Sequence, residues 1–148
     1  MDVVSNHRFW CVVAVMVILP SGGCHQALTQ QVEGEITLDG VPLKAGLIQF
    51  IPIEGTNGPT AGATIEDGRY VVQPVEQGLR TNGVYSVAIT SMVESDQMVA
   101  DPNAPGGKRR LIANTIPAKY NTATSLRVTV SSRANDNRHD FKLESKLP

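Results

Sequence analysis

The residue types that could do chemistry in this chain are few. Two cysteines, Cys11 and Cys24, and three histidines, His7, His25 and His139, are the only soft metal ligands or nucleophile partners. No spacing among them matches a His/Cys ligand motif. A Gly-x-Ser-x-Gly elbow and a glycine-rich phosphate loop are likewise absent from the sequence. Asn135, Asp136, Asn137 and Asp140 gather oxygen atoms of the kind calcium takes. Asn and Asp are also ordinary turn residues, and the EF-hand spacing is missing, so the expectation is a turn and no cofactor. Lys108, Arg109 and Arg110 form a basic run that could touch anionic headgroups, or could simply be solvated. No catalytic, cofactor-binding or metal-binding residue is predicted, and the expectation is a non-enzyme.

The one position with a specific chemical expectation is Cys24. Phe9 through Leu19 is an unbroken apolar run preceded by Arg8. Its length suits the core of a signal peptide and falls short of the ~20 residues that a spanning helix needs. Pro20, Ser21, Gly22 and Gly23 then lead into Cys24. Small residues suit a narrow peptidase site, and a thiol just after the cut is the group that accepts a lipid. The pattern looks like a bacterial lipoprotein signal, although Ser21 stands where such signals usually place leucine. The expectation is a signal peptide over 1–23, a lipid on Cys24 and a polar tether over 24–30. Ordinary cleavage, or an uncleaved anchor with Cys24 as an idle thiol, is the alternative.

The rest of the chain, 31–146, reads as strands and turns. The apolar fraction is 41% with only 5% aromatic, so a core would be built mainly from Val, Ile, Leu and Ala. The formal net charge of -1 gives no electrostatic footprint for nucleic acid. Val32, Ile36 and Leu38 share one face at period two, and Glu33, Glu35 and Thr37 the other. Asp39-Gly40 supplies a turn that needs positive φ, and Leu47 through Ile51 returns as a denser strand ended by Pro52. Ala61, Ala63 and Ile65, the pair Asp67-Gly68, and Arg69 through Gln73 make the clearest hairpin. Further strands are predicted over 83–90, 126–130 and 139–144. Residues 92–115 contain Asp101, Pro102, Asn103, Ala104, Pro105, Gly106 and Gly107 and are predicted to be an exposed, mobile loop. Ile116 through Asn121 reads as a compact turn. About seven strands with no helical period predict an all-β, seven-stranded antiparallel Greek-key β-sandwich.

The order of these motifs resembles the carboxypeptidase regulatory-like domain, a transthyretin-like (prealbumin-like) sandwich. Gly34 through Pro52 is similar to its opening strand, Asp-Gly turn and Phe-x-Pro strand. Asp67-Gly68-Arg69-Tyr70 matches its Asp-Gly-x-Tyr hairpin, and Gly83 through Val87 its Gly-x-Tyr-x-Val strand. Ile116 through Asn121, then Ser125 through Val130, looks like the tail of bacterial lipoprotein members. The resemblance spans about residues 30–145. It implies the fold and a non-catalytic accessory role, because the zinc peptidase domain and the His, Arg and Tyr-Arg-Gly-Ser set of the related hydroxyisourate hydrolases are missing. The functional expectation is a membrane-anchored lipoprotein of the cell envelope, on its periplasmic or cell-surface face. It would contact an unknown envelope protein or polysaccharide through an exposed sheet edge or the 92–115 segment. A carbohydrate-binding module with Tyr70, Tyr85 or Tyr120 as platforms is the alternative.

Overall fold

The computed structural model describes residues 29–145. Cys24, the signal peptide and most of the tether lie outside the described residues. The chain from Thr29 onward is strand after strand: β1 (Thr29–Gln30), β2 (Val32–Leu38), β3 (Val41–Pro42), β4 (Ala45–Ile53), β5 (Ala61–Glu66), β6 (Arg69–Val72), β7 (Leu79–Arg80), β8 (Val84–Thr90), β9 (Met92–Ala100), β10 (Lys108–Asn114), β11 (Arg127–Thr129) and β12 (Phe141–Leu143). Two single 3₁₀ turns, Ala118–Tyr120 and Ala134–Asp136, interrupt them. The fold is all-β, as its alternation predicts.

Most strands form one sheet in the order β11-β8-β4-β5-β6-β2-β12, with β3 paired to β2. The sheet curls, so that one face of every strand meets the others. Val32 and Ile36 of β2, Ile48 and Phe50 of β4, Tyr70 and Val72 of β6, and Tyr85, Val87 and Ile89 of β8 are buried in a single cluster with Phe141 and Leu143 of β12. Phe50 sits 6.0 Å from Tyr70 and 6.5 Å from Tyr85 between ring centroids. Asp39 and Gly40 join β2 to β3, and Asp67 and Gly68 join β5 to β6. All four have positive φ, between 46° and 81°. That is the mirror-image turn whose twist matches a hairpin, and Asp-Gly is the pair that adopts it at least cost.

Three features depart from the sequence reading. The described residues hold more strand segments than seven, because short pairings such as β1 with β7 and β3 with β2 are too brief to show periodicity. The sheet is not wholly antiparallel. β12 lies parallel to β2, with Phe141 opposite Ile36 and Leu143 opposite Leu38, since the chain reaches that edge by a long return and not by a hairpin. Residues 92–115 are not a loop. They form the β9–β10 hairpin, and only 101–107 at its tip carry the Pro/Gly chemistry.

Candidate interaction surface

β8 does not end where its sheet ends. After Ser91 the chain runs on as β9, which pairs only with β10, so the ribbon forms a separate two-stranded sheet. The root of this arm is fixed by polar contacts. Ser91 is buried; its Oγ donates to the Ala45 carbonyl (2.7 Å) and its N–H to Asn114 Oδ1 (3.0 Å). The Thr115 N–H donates back to the Ser91 carbonyl (2.9 Å), and the N–H of buried Ile116 donates to Asn114 Oδ1 (3.1 Å). At the other end, the Asp101 N–H donates to the Gly107 carbonyl (3.0 Å), and Asp101 Oδ1 accepts from the Asn103 N–H (2.9 Å). Asp101 thus closes the tip as an Asx turn.

Cross-strand register decides what the arm displays. Lys108 lies opposite Ala100, Arg110 opposite Met98, Ile112 opposite Glu94 and Asn114 opposite Met92, with an irregularity between Arg110 and Ile112. Opposed residues in an antiparallel pair share a face. One face therefore carries Met92, Glu94 and Met98 from β9 with Lys108, Arg110 and Ile112 from β10. Asp96 joins it, as its carboxylate lies 3.3 Å from the Arg110 guanidinium. Met92, Met98 and Ile112 are 64%, 52% and 54% exposed. The opposite face carries Val93, Val99, Leu111 and Ala113, the last three half-buried. Charge is segregated by strand: Glu94 and Asp96 are on β9, and Lys108, Arg109 and Arg110 are on β10.

The other residues singled out by sequence have structural tasks. Asn137 is buried; its Oδ1 accepts from the Ser131 N–H (2.7 Å) and its Nδ2 donates to the Ser131 carbonyl (3.0 Å). Its own carbonyl accepts from the Glu33 N–H (3.1 Å). Asp140 Oδ1 accepts from the Glu35 N–H (2.8 Å) and lies 3.3 Å from Arg138, which also pairs with Glu35 at 3.1 Å. Asp136 Oδ2 accepts from the Ser131 hydroxyl (3.4 Å), and Asn135 is exposed. The oxygen-rich turn thus closes on itself and on β2. Among the described residues, no three or more His, Cys, Asp or Glu side chains converge as metal ligands would.

His139 passes under β2. Its N–H donates to the Glu33 carbonyl and its carbonyl accepts from the Tyr70 hydroxyl, both at 2.8 Å. Its ring Nε2 is buried without a hydrogen-bond partner. Burial pulls the imidazole pKa below its usual value, and the nearby Asp140 charge opposes that only in part. Burial also drives the Tyr70 phenol well above its usual pKa, with Asp140 adding to the effect.

Tyr70 and Tyr85 are core residues, each 2% exposed, so neither offers a ring to a sugar. Tyr120 is half-buried; its hydroxyl accepts from the Glu144 N–H (3.1 Å) and Lys119 lies 4.9 Å over its ring. Open depressions occur at both ends of the sheet, one lined by Thr37, Asp39, Lys142 and Glu144 and another by Gln31, Glu33, Asn135 and Arg138. Among the described residues no helix is long and apolar enough to cross a membrane. Compared with known proteins, the chain matches no family model, no curated protein and no solved structure. The arm is the feature that sequence reading missed. Its signal was the alternation of Met92, Glu94, Asp96 and Met98 against Lys108, Arg110 and Ile112, which mixes apolar and charged residues on one face.

Proposed function

We propose that this chain is a non-enzymatic, lipid-anchored protein of the cell envelope whose β-domain acts as an interaction module, with the β9–β10 arm as its contact surface. The observation that carries this reading is the arm itself. A two-stranded ribbon outside the main sheet is marginal on its own, yet this one exposes Met92, Val93, Met98 and Ile112 to solvent. Apolar side chains gathered on a projecting element are the usual mark of a contact site. The domain's transthyretin-like, carboxypeptidase regulatory-like kinship belongs to the same proposal. It is supported by the order of the motifs and by the positive-φ Asp-Gly turns that stand at two of them. The lipid on Cys24 is supported by the apolar run and small residues before it.

The test is cross-linking in intact cells of a tagged full-length chain. The comparison is a variant carrying Met92→Ser, Val93→Thr, Met98→Thr and Ile112→Thr. The variant is expected to keep its far-UV circular dichroism and to lose its cross-linked partners. Equal capture by both proteins would reject the arm as the contact surface.

A further inference from the structure

The arm's charge pattern selects a partner. Resting on the reading of the arm as a contact surface, we infer that its partner is a second copy of this chain, stacked arm on arm about a two-fold axis parallel to the strands. One face of each arm has an apolar set, Met92, Met98 and Ile112, beside an acidic strand and a basic strand. Two identical ribbons can stack through that face in two symmetric ways. With the two-fold axis across the strands, β9 lies over β9 of the other copy, so Glu94 and Asp96 meet Glu94 and Asp96. With the axis along the strands, β9 lies over β10 of the other copy. Each acidic strand then meets Lys108 and Arg110, twice over, and the apolar side chains of the two faces meet between them. Like-charge juxtaposition disfavours the first arrangement and complementarity favours the second. A self-complementary patch of this kind is what a two-fold interface requires.

The second arrangement also points both arms the same way, so both domains sit at the same end of the pair. Two copies tethered to one membrane can adopt it. The contact is small. At ~3.3 Å per residue along the strand and about 10 Å across two strands, each face offers roughly 300 Å². That is short of the ~1,000 Å² in total expected of a stable interface. The pair is therefore weak in dilute solution and depends on confinement to a surface, where effective concentration is high.

The test co-expresses two full-length copies with different tags in intact cells and reads the mixed-tag dimer after brief formaldehyde cross-linking. One charge variant carries Glu94→Lys and Asp96→Lys, the other Lys108→Glu and Arg110→Glu. These side chains are exposed, so both variants are expected to keep their fold by circular dichroism. Each variant paired with itself should give roughly tenfold less dimer than the unaltered chain, from several weak contacts reversed together. The two variants paired with each other should restore it, because β9 and β10 are again opposite in charge. Should either charge variant fail to fold, the single change Ile112→Asp replaces it, and loss of the dimer supports the stack. No dimer from the unaltered chain, no restoration in the mixed pair of folded variants, or a dimer indifferent to Ile112→Asp would each overturn self-pairing. If self-pairing fails while the four-residue arm variant still loses other envelope proteins, the contact surface stands and only its partner is wrong.

Discussion

Replacing Gly34 by alanine should damage this domain more than its size suggests. A Cβ built on Gly34 would lie 1.9 Å from the His139 carbonyl oxygen, 2.6 Å from the His139 carbonyl carbon and 3.1 Å from Tyr70 Cε1. An ordinary carbon–oxygen contact needs about 3.3 Å or more, so the 137–140 segment or β2 must move by about 1.4 Å. That segment is held by four hydrogen bonds: Glu33 N–H to Asn137 O, His139 N–H to Glu33 O, Glu35 N–H to Asp140 Oδ1 and Tyr70 Oη–H to His139 O. A displacement of that size breaks most of them. At about 1 kcal/mol each, with the strain of a backbone shift added, the loss is roughly 3–5 kcal/mol. The midpoint of thermal unfolding should then fall by about 10 °C or more. Urea unfolding followed by far-UV circular dichroism measures it. Gly40→Ala is the control: its Cβ meets nothing within 4 Å, and only its φ of +81° opposes the change, for about 1 kcal/mol. A Gly34→Ala cost no larger than that of the control would refute the close approach of β2 to His139.

Two further outcomes follow from the same corner of the molecule. His139 has its pKa lowered by burial, so between that value and the ordinary histidine value the unfolded chain binds more protons than the folded one. Stability is then fully present above the unfolded pKa and falls as pH drops through about 6.5 and below. His139→Gln should flatten this limb in urea titrations from pH 7.5 to 5; an unchanged slope would show that the ring is not held neutral. Asn137→Ala removes both side-chain bonds to the Ser131 backbone and leaves a buried N–H and carbonyl without partners, a loss of about 2–4 kcal/mol. Added calcium should leave the unfolding midpoint of the unaltered chain where it was, because this side chain is already committed to the loop; a calcium-dependent rise would reopen the turn as a cation site.

The parts of the fold that could be read from sequence are those whose side chains alternate between core and solvent. Val32 and Ile36 against Glu33 and Glu35, and Tyr85, Val87 and Ile89 against Ser86, write their burial directly into the order of residues. The two Asp-Gly turns were legible for a different reason. Few other pairs accept positive φ twice in succession, so composition alone fixes the backbone there. What could not be read was set by contacts between distant segments. The parallel pairing of β12 with β2 joins residues about a hundred positions apart, and nothing local in Phe141 through Leu143 distinguishes a parallel neighbour from an antiparallel one. The calcium-like turn was ambiguous for the same reason. Asn137 looks like a ligand until the Ser131 backbone and β2 are brought to it.

The arm was illegible because periodicity in a sequence records burial, and the arm is not buried in its own domain. A strand with a core on one side and water on the other separates apolar from charged residues by face. On β9 and β10 the exposed face instead interleaves Met92, Met98 and Ile112 with Glu94, Asp96, Lys108 and Arg110. That mixture is poor chemistry for a core and for open solvent alike. It suits a surface buried only part of the time, where apolar contact supplies attraction and charge decides orientation. The rigid root at Ser91 and Asn114 supports the same view, since a passive loop needs no such anchoring. A ribbon clamped at its base presents its faces in one direction, which removes part of the ordering cost of association.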